Sequence, residues 1–136
     1  MRKVANIIMA VWLLAAFAGA MAYVLPLHPH QTGRARVQAT TQILCFGTAL
    51  KAFEVRSGRY PSTTQGLGGL LHEPPGSTNW NGPYLDADAI PKDPWGNDFI
   101  YECPGRHNTN SFDLMSMGPD GHRGTEDDIT NWQIKK

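Results

Sequence analysis

The chain has no excess charge of either sign: 12 Lys and Arg are matched by 12 Asp and Glu among 136 residues. A nucleic-acid binder normally shows a basic excess or stripe, so no nucleic-acid partner is expected. Acidic residues are absent before Glu54, and the one run of like charge is Glu126-Asp127-Asp128. Cysteine is nearly absent, with Cys45 and Cys103 alone. Two cysteines permit at most one internal disulfide in an exported chain, and a buried free thiol is the simpler reading for each. The five histidines, His28, His30, His72, His107 and His122, form no Ser-His-Asp, Cys-His or His-Glu-x-x-His pattern. His28 and His30 lack the third and fourth ligands that a zinc site needs. Neither an enzyme nor a binder of a small-molecule substrate is expected.

One long apolar run is present. Val4–Leu25, "VANIIMAVWLLAAFAGAMAYVL", is interrupted only by Asn6 and spans 22 residues. About 20 residues cross a bilayer as a helix. The alternative is a cleaved secretory signal with Ala20-Met21-Ala22 at the cut, but a signal core is about 7–15 residues. Length favours an uncleaved anchor, and either reading exports the remainder. Arg2 and Lys3 before the run are balanced by Arg34 and Arg36 after it, so positive charge does not fix the orientation. Pro26 and Pro29 follow and are expected to break or kink a helix there. Residues 1–32 are therefore read as membrane anchor and juxtamembrane link, and residues 33–136 as one folded domain.

That domain opens with a helical pattern over Arg34–Arg56. Ile43, Phe46, Leu50 and Phe53 recur at spacings of three and four and make one apolar stripe. Gly47 is costly inside a helix and suggests close approach of another element. Gly58 and Pro61 stop the helix. A short second helix is expected within Ser62–Glu73. Strands are expected at Gly82–Leu85, Asp98–Cys103 and Ser111–Ser116, with Phe99 and Tyr101 on one face. "PKDPWGND" reverses the chain between two of them. The fold class is α+β: a long N-terminal helix packed on a small antiparallel β-sheet.

The stretch "SMGPDGHRGTEDDITNW", Ser116–Trp132, suits neither helix nor long strand. Its glycines, Gly118, Gly121 and Gly124, make the backbone pliable, and Asp120, Glu126, Asp127 and Asp128 crowd carboxylates together. A solvated turn and a cage for a hard cation both account for this composition. No Asp-x-Asp-x-Asp-Gly spacing of an EF-hand is present, and neither cysteine lies in the stretch.

Four stretches stand in a fixed order: "ALKAFEVRSGRYPSTTQGL", "IPKDPWGNDFIY", "FDLMSMGPDG" and "DDITNW". With their Gly-Arg-Tyr-Pro turn, Asp-Pro-Trp-Gly-Asn turn and acidic loop closing on Asn-Trp, they closely resemble the major pseudopilins of type II secretion systems over residues 33–132. The resemblance implies a pilin-like fold with an inner-membrane anchor and a C-terminal sheet in the periplasm. It also implies a bound calcium ion and assembly into a short pseudopilus with other pseudopilins and inner-membrane secretion components. Carried over residue by residue, it assigns calcium to the carboxylates of Asp120, Asp127 and Asp128 and to the carbonyls of Met117, His122 and Thr125. The chain departs from the family at its start. "MRKVANIIMAVW" holds neither the Gly before the apolar run nor the Glu within it that belong to the family's Gly-Phe-Thr-Leu-x-Glu processing motif. A second expectation is thus a solitary exported calcium-binding module that never enters a filament.

Overall fold

The apolar stripe forms the helix it predicts. The computed structural model describes residues 29–77 and 79–134, and its first element is α1, Pro29–Ser57. Pro29 is its first residue, a position at which a helix needs no N–H donor. Ile43, Phe46, Leu50 and Phe53 all face inward with no more than 2% of their surface exposed, joined by Ala39 and Ala49. Gly58 closes the helix at φ +73°, its N–H bonded to the carbonyl of Glu54 at 2.7 Å. This is the left-handed stop that a glycine supplies at least cost.

The second helix is present only as a short 3₁₀ piece. Ser62 and Gln65 do form a reciprocal cap, with the Ser62 N–H on Gln65 Oε1 at 2.9 Å and the Gln65 N–H on Ser62 Oγ at 3.3 Å. The chain then manages only one 3₁₀ turn, Leu67–Leu70. Gly66 at φ +60° leaves the helical region, and Gly68 and Gly69 add backbone entropy that three leucines do not offset. Leu67, Leu70 and Leu71 are nevertheless buried.

Gly82–Leu85 is not a strand either. Its one backbone bond to the core runs from the Tyr84 N–H to the carbonyl of Leu70 at 2.7 Å, and Pro83 has no N–H to give a ladder. The segment serves as an aromatic cover: Tyr84 packs on Phe53 at 5.4 Å between ring centroids, and the Trp80 indole N–H bonds Gly69 O at 3.0 Å.

The sheet has three strands in the order β1-β2-β3, all antiparallel: β1 Ile100–Glu102, β2 Asp113–Ser116 and β3 Ile129–Thr130. Tyr101 stands opposite Leu114, and Met115 opposite Thr130. Two of the three expected strands, Asp98–Cys103 and Ser111–Ser116, are present but shorter. β3 went unforeseen, because two residues carry no readable alternation. Every residue of the central β2 is buried. Leu114 joins Tyr101, Phe112 and Ile129 in one cluster with the stripe of α1, and Phe46 meets Phe99 edge to face at 5.1 Å. Burial raises the Tyr101 phenol well above its usual range, and its hydroxyl donates to the Pro61 carbonyl at 2.7 Å.

Both cysteines are free thiols. Cys45 is exposed on α1, and the Cys103 thiol, half-buried, lies 3.7 Å from the Ser111 carbonyl. Among the described residues no helix is long and apolar enough to cross a membrane. The anchor expected at Val4–Leu25 lies outside the described residues.

Candidate metal loop

β2 ends at Ser116 because the next residues cannot continue it. Gly118 turns at φ +65°, and Pro119 has no N–H to donate. The turn is fastened from behind by a residue the sequence did not single out as part of the site. Asp93, in the Asp-Pro-Trp-Gly-Asn turn, is 4% exposed. Its Oδ1 accepts the N–H groups of Trp95 at 3.0 Å and Asn97 at 2.8 Å, and its Oδ2 accepts the Ser116 hydroxyl at 2.6 Å. Ser116 Oγ in turn accepts the Gly118 N–H at 3.2 Å, and Asn97 Nδ2 donates to the Gly118 carbonyl at 2.9 Å. Two turns that are remote in sequence thus share one buried polar network. Fully satisfied networks of this kind rigidify what they join.

Beyond Gly118 the loop folds on its own carboxylates. Asp127 Oδ2 accepts the Asp120 N–H at 3.3 Å, and Asp127 Oδ1 accepts the Thr125 hydroxyl at 2.6 Å. Asp120 Oδ1 accepts the His122 N–H at 2.8 Å, and Asp128 Oδ2 accepts the Gly124 N–H at 2.7 Å. The Thr125 hydroxyl also reaches the His122 carbonyl at 3.2 Å, and the Thr125 carbonyl takes the Asp128 N–H at 3.4 Å. Gly118 has to be glycine: a Cβ there would lie 2.5 Å from the Asp127 carbonyl oxygen. The Thr125 hydroxyl, helped by the Asp120 N–H, holds the Asp127 carboxyl below the usual carboxylate range against the opposing effect of burial.

The structure therefore brings Asp120, Thr125 and Asp127 together, with the His122 carbonyl beside them. Asp128 stands one residue on, bound to Gly124. Met117 sits half-buried at the exit of β2, and no hydrogen bond joins it to the loop among the described residues. Nor do three His, Cys, Asp or Glu side chains converge on one point among the described residues. A cation here would rely on carbonyl oxygens as much as on carboxylates, the donor set calcium favours. One atom argues that the loop fits such an ion: Asp128 Oδ1 is buried and has no hydrogen-bond partner. A buried carboxylate oxygen without a partner is costly, and a hard cation would satisfy it.

Two arginines tie the loop to the rest of the domain. Arg123 Nη1 bonds Glu102 Oε1 of β1 at 2.8 Å, which holds the Glu102 carboxyl below its usual range. Arg36 Nη1 of α1 donates to the Asp127 carbonyl at 3.2 Å. Neither was visible in the sequence, since each bond joins residues far apart in the chain. At the loop's far end Trp132 stacks on His107 at 4.0 Å, with ring planes 8° apart. His107 Nδ1 in turn lies 3.0 Å from the buried Asp113.

One long helix on a small antiparallel sheet, with a glycine-rich acidic loop leading into the last strand, defines a pilin-like subunit. The family model for type II secretion system (T2SS), protein G, matches residues 28–132. The type II secretion system core protein G of Escherichia coli (strain K12) is 42% identical over 103 residues, covering 73% of this chain and 68% of that protein. The protein of the same name from Pectobacterium carotovorum is 40% identical over 108 residues, 74% of this chain and 65% of its own length. The chain thus spans about two thirds of these relatives. In three dimensions it resembles the crystal structure of the major pseudopilin from the type 2 secretion system of enterohaemorrhagic Escherichia coli. That match has a TM-score of 0.68 and 33% identity, over 82% of this chain and 98% of the other. The chain belongs to the type II secretion system protein G family, the major pseudopilins.

Proposed function

We propose that this pseudopilin is a calcium-stabilised structural subunit, held in the inner membrane by residues 4–25 with its folded domain in the periplasm. Its partners are other pseudopilins and the inner-membrane components of a secretion system. Family membership supports the secretion role. The observation that supports calcium is the partnerless, buried Oδ1 of Asp128, in a loop that also carries the carboxylates of Asp120 and Asp127. Asp120, Asp127 and Asp128 would hold the ion with the carbonyls of Met117, His122 and Thr125. Bound there, it would neutralise carboxylates that otherwise repel.

Calorimetry and thermal melts with calcium, magnesium or chelator test the calcium reading. With free calcium at about 100 times the dissociation constant, the fold should gain about 2.7 kcal/mol. Magnesium should substitute poorly, because it demands octahedral geometry and sheds water reluctantly. Asp127→Ala and Asp128→Ala should each remove the calcium-dependent shift. A melt that chelator leaves unchanged, in protein confirmed free of metal, would make the stretch a solvated acidic turn. Membrane fractionation after a carbonate wash tests the anchor: a soluble product beginning near Tyr23 would show a cleaved signal instead.

A further inference from the structure

The carbonyl oxygen of Asp127 is a junction between the acidic loop and α1. Gly118 is pressed so close to it that no Cβ fits, and Arg36 Nη1 donates to it from the helix at 3.2 Å across 91 residues of sequence. The same residue's carboxylate takes the Asp120 N–H and the Thr125 hydroxyl. Fixing the Asp127 peptide therefore fixes where its carboxylate points. The carbonyl faces the helix, so the oxygen left for an ion is on the side chain. Among the described residues, Arg36 is the one side chain of α1 that hydrogen-bonds the stretch from Met117 to Asp128.

We infer that Arg36 is a positioning residue that couples metal occupancy of the acidic loop to the order of an early stretch of α1, residues 33–40. The inference rests on the calcium reading given above. An ion that holds the Asp127 carboxylate immobilises its peptide and hence the acceptor of the Arg36 bond. The loop without metal leaves that acceptor loose, and the Arg36 side chain regains its freedom. By linkage the effect is reciprocal: losing the arginine must weaken the ion by the factor with which the ion orders the helix. A single exposed hydrogen bond of this kind is worth roughly a two- to tenfold change in affinity. Arginine suits the role because its planar fork stays charged and directional where a lysine would offer only a point charge. The bond lies at the start of the compact unit, which begins at Thr32. Loop occupancy would thus be felt at the first residues of that unit.

Amide hydrogen exchange of the full chain in detergent micelles, with calcium or chelator, tests the coupling. In the wild type, calcium should slow exchange both in residues 118–128 and in residues 33–40. In Arg36→Ala the loop should still respond, with calcium affinity about two- to tenfold lower, while the response of residues 33–40 disappears. Arg36→Lys should restore it only in part. Arg34→Ala removes the same charge two residues away and should behave as wild type, which separates the bond from net charge. A loop that responds in Arg36→Ala with the helix response intact would overturn the coupling alone, as would an Arg34→Ala variant that loses it equally. A wild-type loop that ignores calcium would overturn the calcium reading and the coupling with it.

Discussion

Along α1 the side chains at 39, 43, 46, 50 and 53 are buried against the sheet, whereas between Met117 and Asp128 only Gly118 is buried. The first region is held by area removed from water, a non-directional force that tolerates small shifts. The second is held by directed bonds to carboxylates and by three glycines at positive φ, with little apolar surface to support it. Nothing in that packing calls on an ion. A loop so built competes with water at every bond, and its order depends on what satisfies its acids. The two regions are joined by few devices: the buried Asp93–Ser116 bond, Arg36 on Asp127 and Arg123 on Glu102.

The largest effect should come from the core. Leu50 is fully buried, in a cluster with Phe53, Leu67, Leu114 and Ile129. Leu50→Ala should cost about 2–5 kcal/mol, from lost burial and the cavity left behind. Urea melts of a fragment starting at Thr32 would show this, with and without calcium. The loss should be the same in both conditions. A loss under about 0.5 kcal/mol would mean that the stripe is exposed in solution rather than covered by the sheet.

Gly118→Ala attacks the loop alone. Its left-handed backbone costs a side chain about 1–2 kcal/mol. The added Cβ would also push on the Asp127 carbonyl, backbone that cannot rotate away. The domain should remain folded but lack the calcium-dependent stabilisation proposed for the wild type, read as equal melting temperatures with calcium and with chelator. A Gly118→Ala variant that binds calcium as the wild type does would show that the Asp127 peptide is not part of the ion's frame.

Acid should weaken both regions, at different carboxylates. Burial raises the Asp113 pKa, but the N–H groups of His107 and Asn108 more than offset it, so the net shift is downward. Asp127 and Glu102 are also depressed, by the Thr125 hydroxyl and by Arg123 respectively. A depressed folded pKa contributes stability that is fully present above the unfolded value, near 4. That stability is lost as pH falls through the folded values. Stability should therefore decline below about pH 4 and be flat above about pH 5 with respect to these groups. Asp113→Ala should remove part of the decline and cost about 1–3 kcal/mol at neutral pH, because it strands the part-buried N–H groups of His107 and Asn108. An acid limb identical in Asp113→Ala and the wild type would assign the loss to other carboxylates.

The same contrast explains what the sequence could show. The helix was legible because Ile43, Phe46, Leu50 and Phe53 lie within a few turns of one another, where local period dictates the buried face. The strands at Tyr101 and Leu114 were legible in kind but read too long, since only the paired residues count as strand. β3 was invisible, and Gly82–Leu85 was misread as a strand, because aromatic content there serves packing on Phe53 and Leu70 rather than a ladder. In the loop, the acids and glycines could be read as pliable and charged, and the resemblance placed the ligand roles on Asp120, Asp127 and Asp128. The bonds that shape the loop could not be read. Asp93 meets Ser116 across 23 residues and Arg36 meets Asp127 across 91, and no local pattern encodes such pairs.

The smallest expected effect is a gain, and it sets one glycine against another. Gly47 lies inside α1, where glycine is about 0.5–1 kcal/mol worse than alanine because it gives up more backbone freedom on folding. The sequence suggests that something presses close to it. The structure shows what does, and shows that there is room: a Cβ at Gly47 would meet only the Phe112 ring, at 3.9 Å, an ordinary van der Waals contact. Gly47→Ala should therefore raise stability by roughly 0.5–1 kcal/mol, through the unfolded chain rather than through new contacts. The urea midpoint should rise with its slope unchanged. The gain should be equal with calcium and with chelator, since the site belongs to the region that no ion supports. A destabilised Gly47→Ala would mean that Phe112 moves closer to the helix in solution, and that Gly47, like Gly118, is kept for close approach.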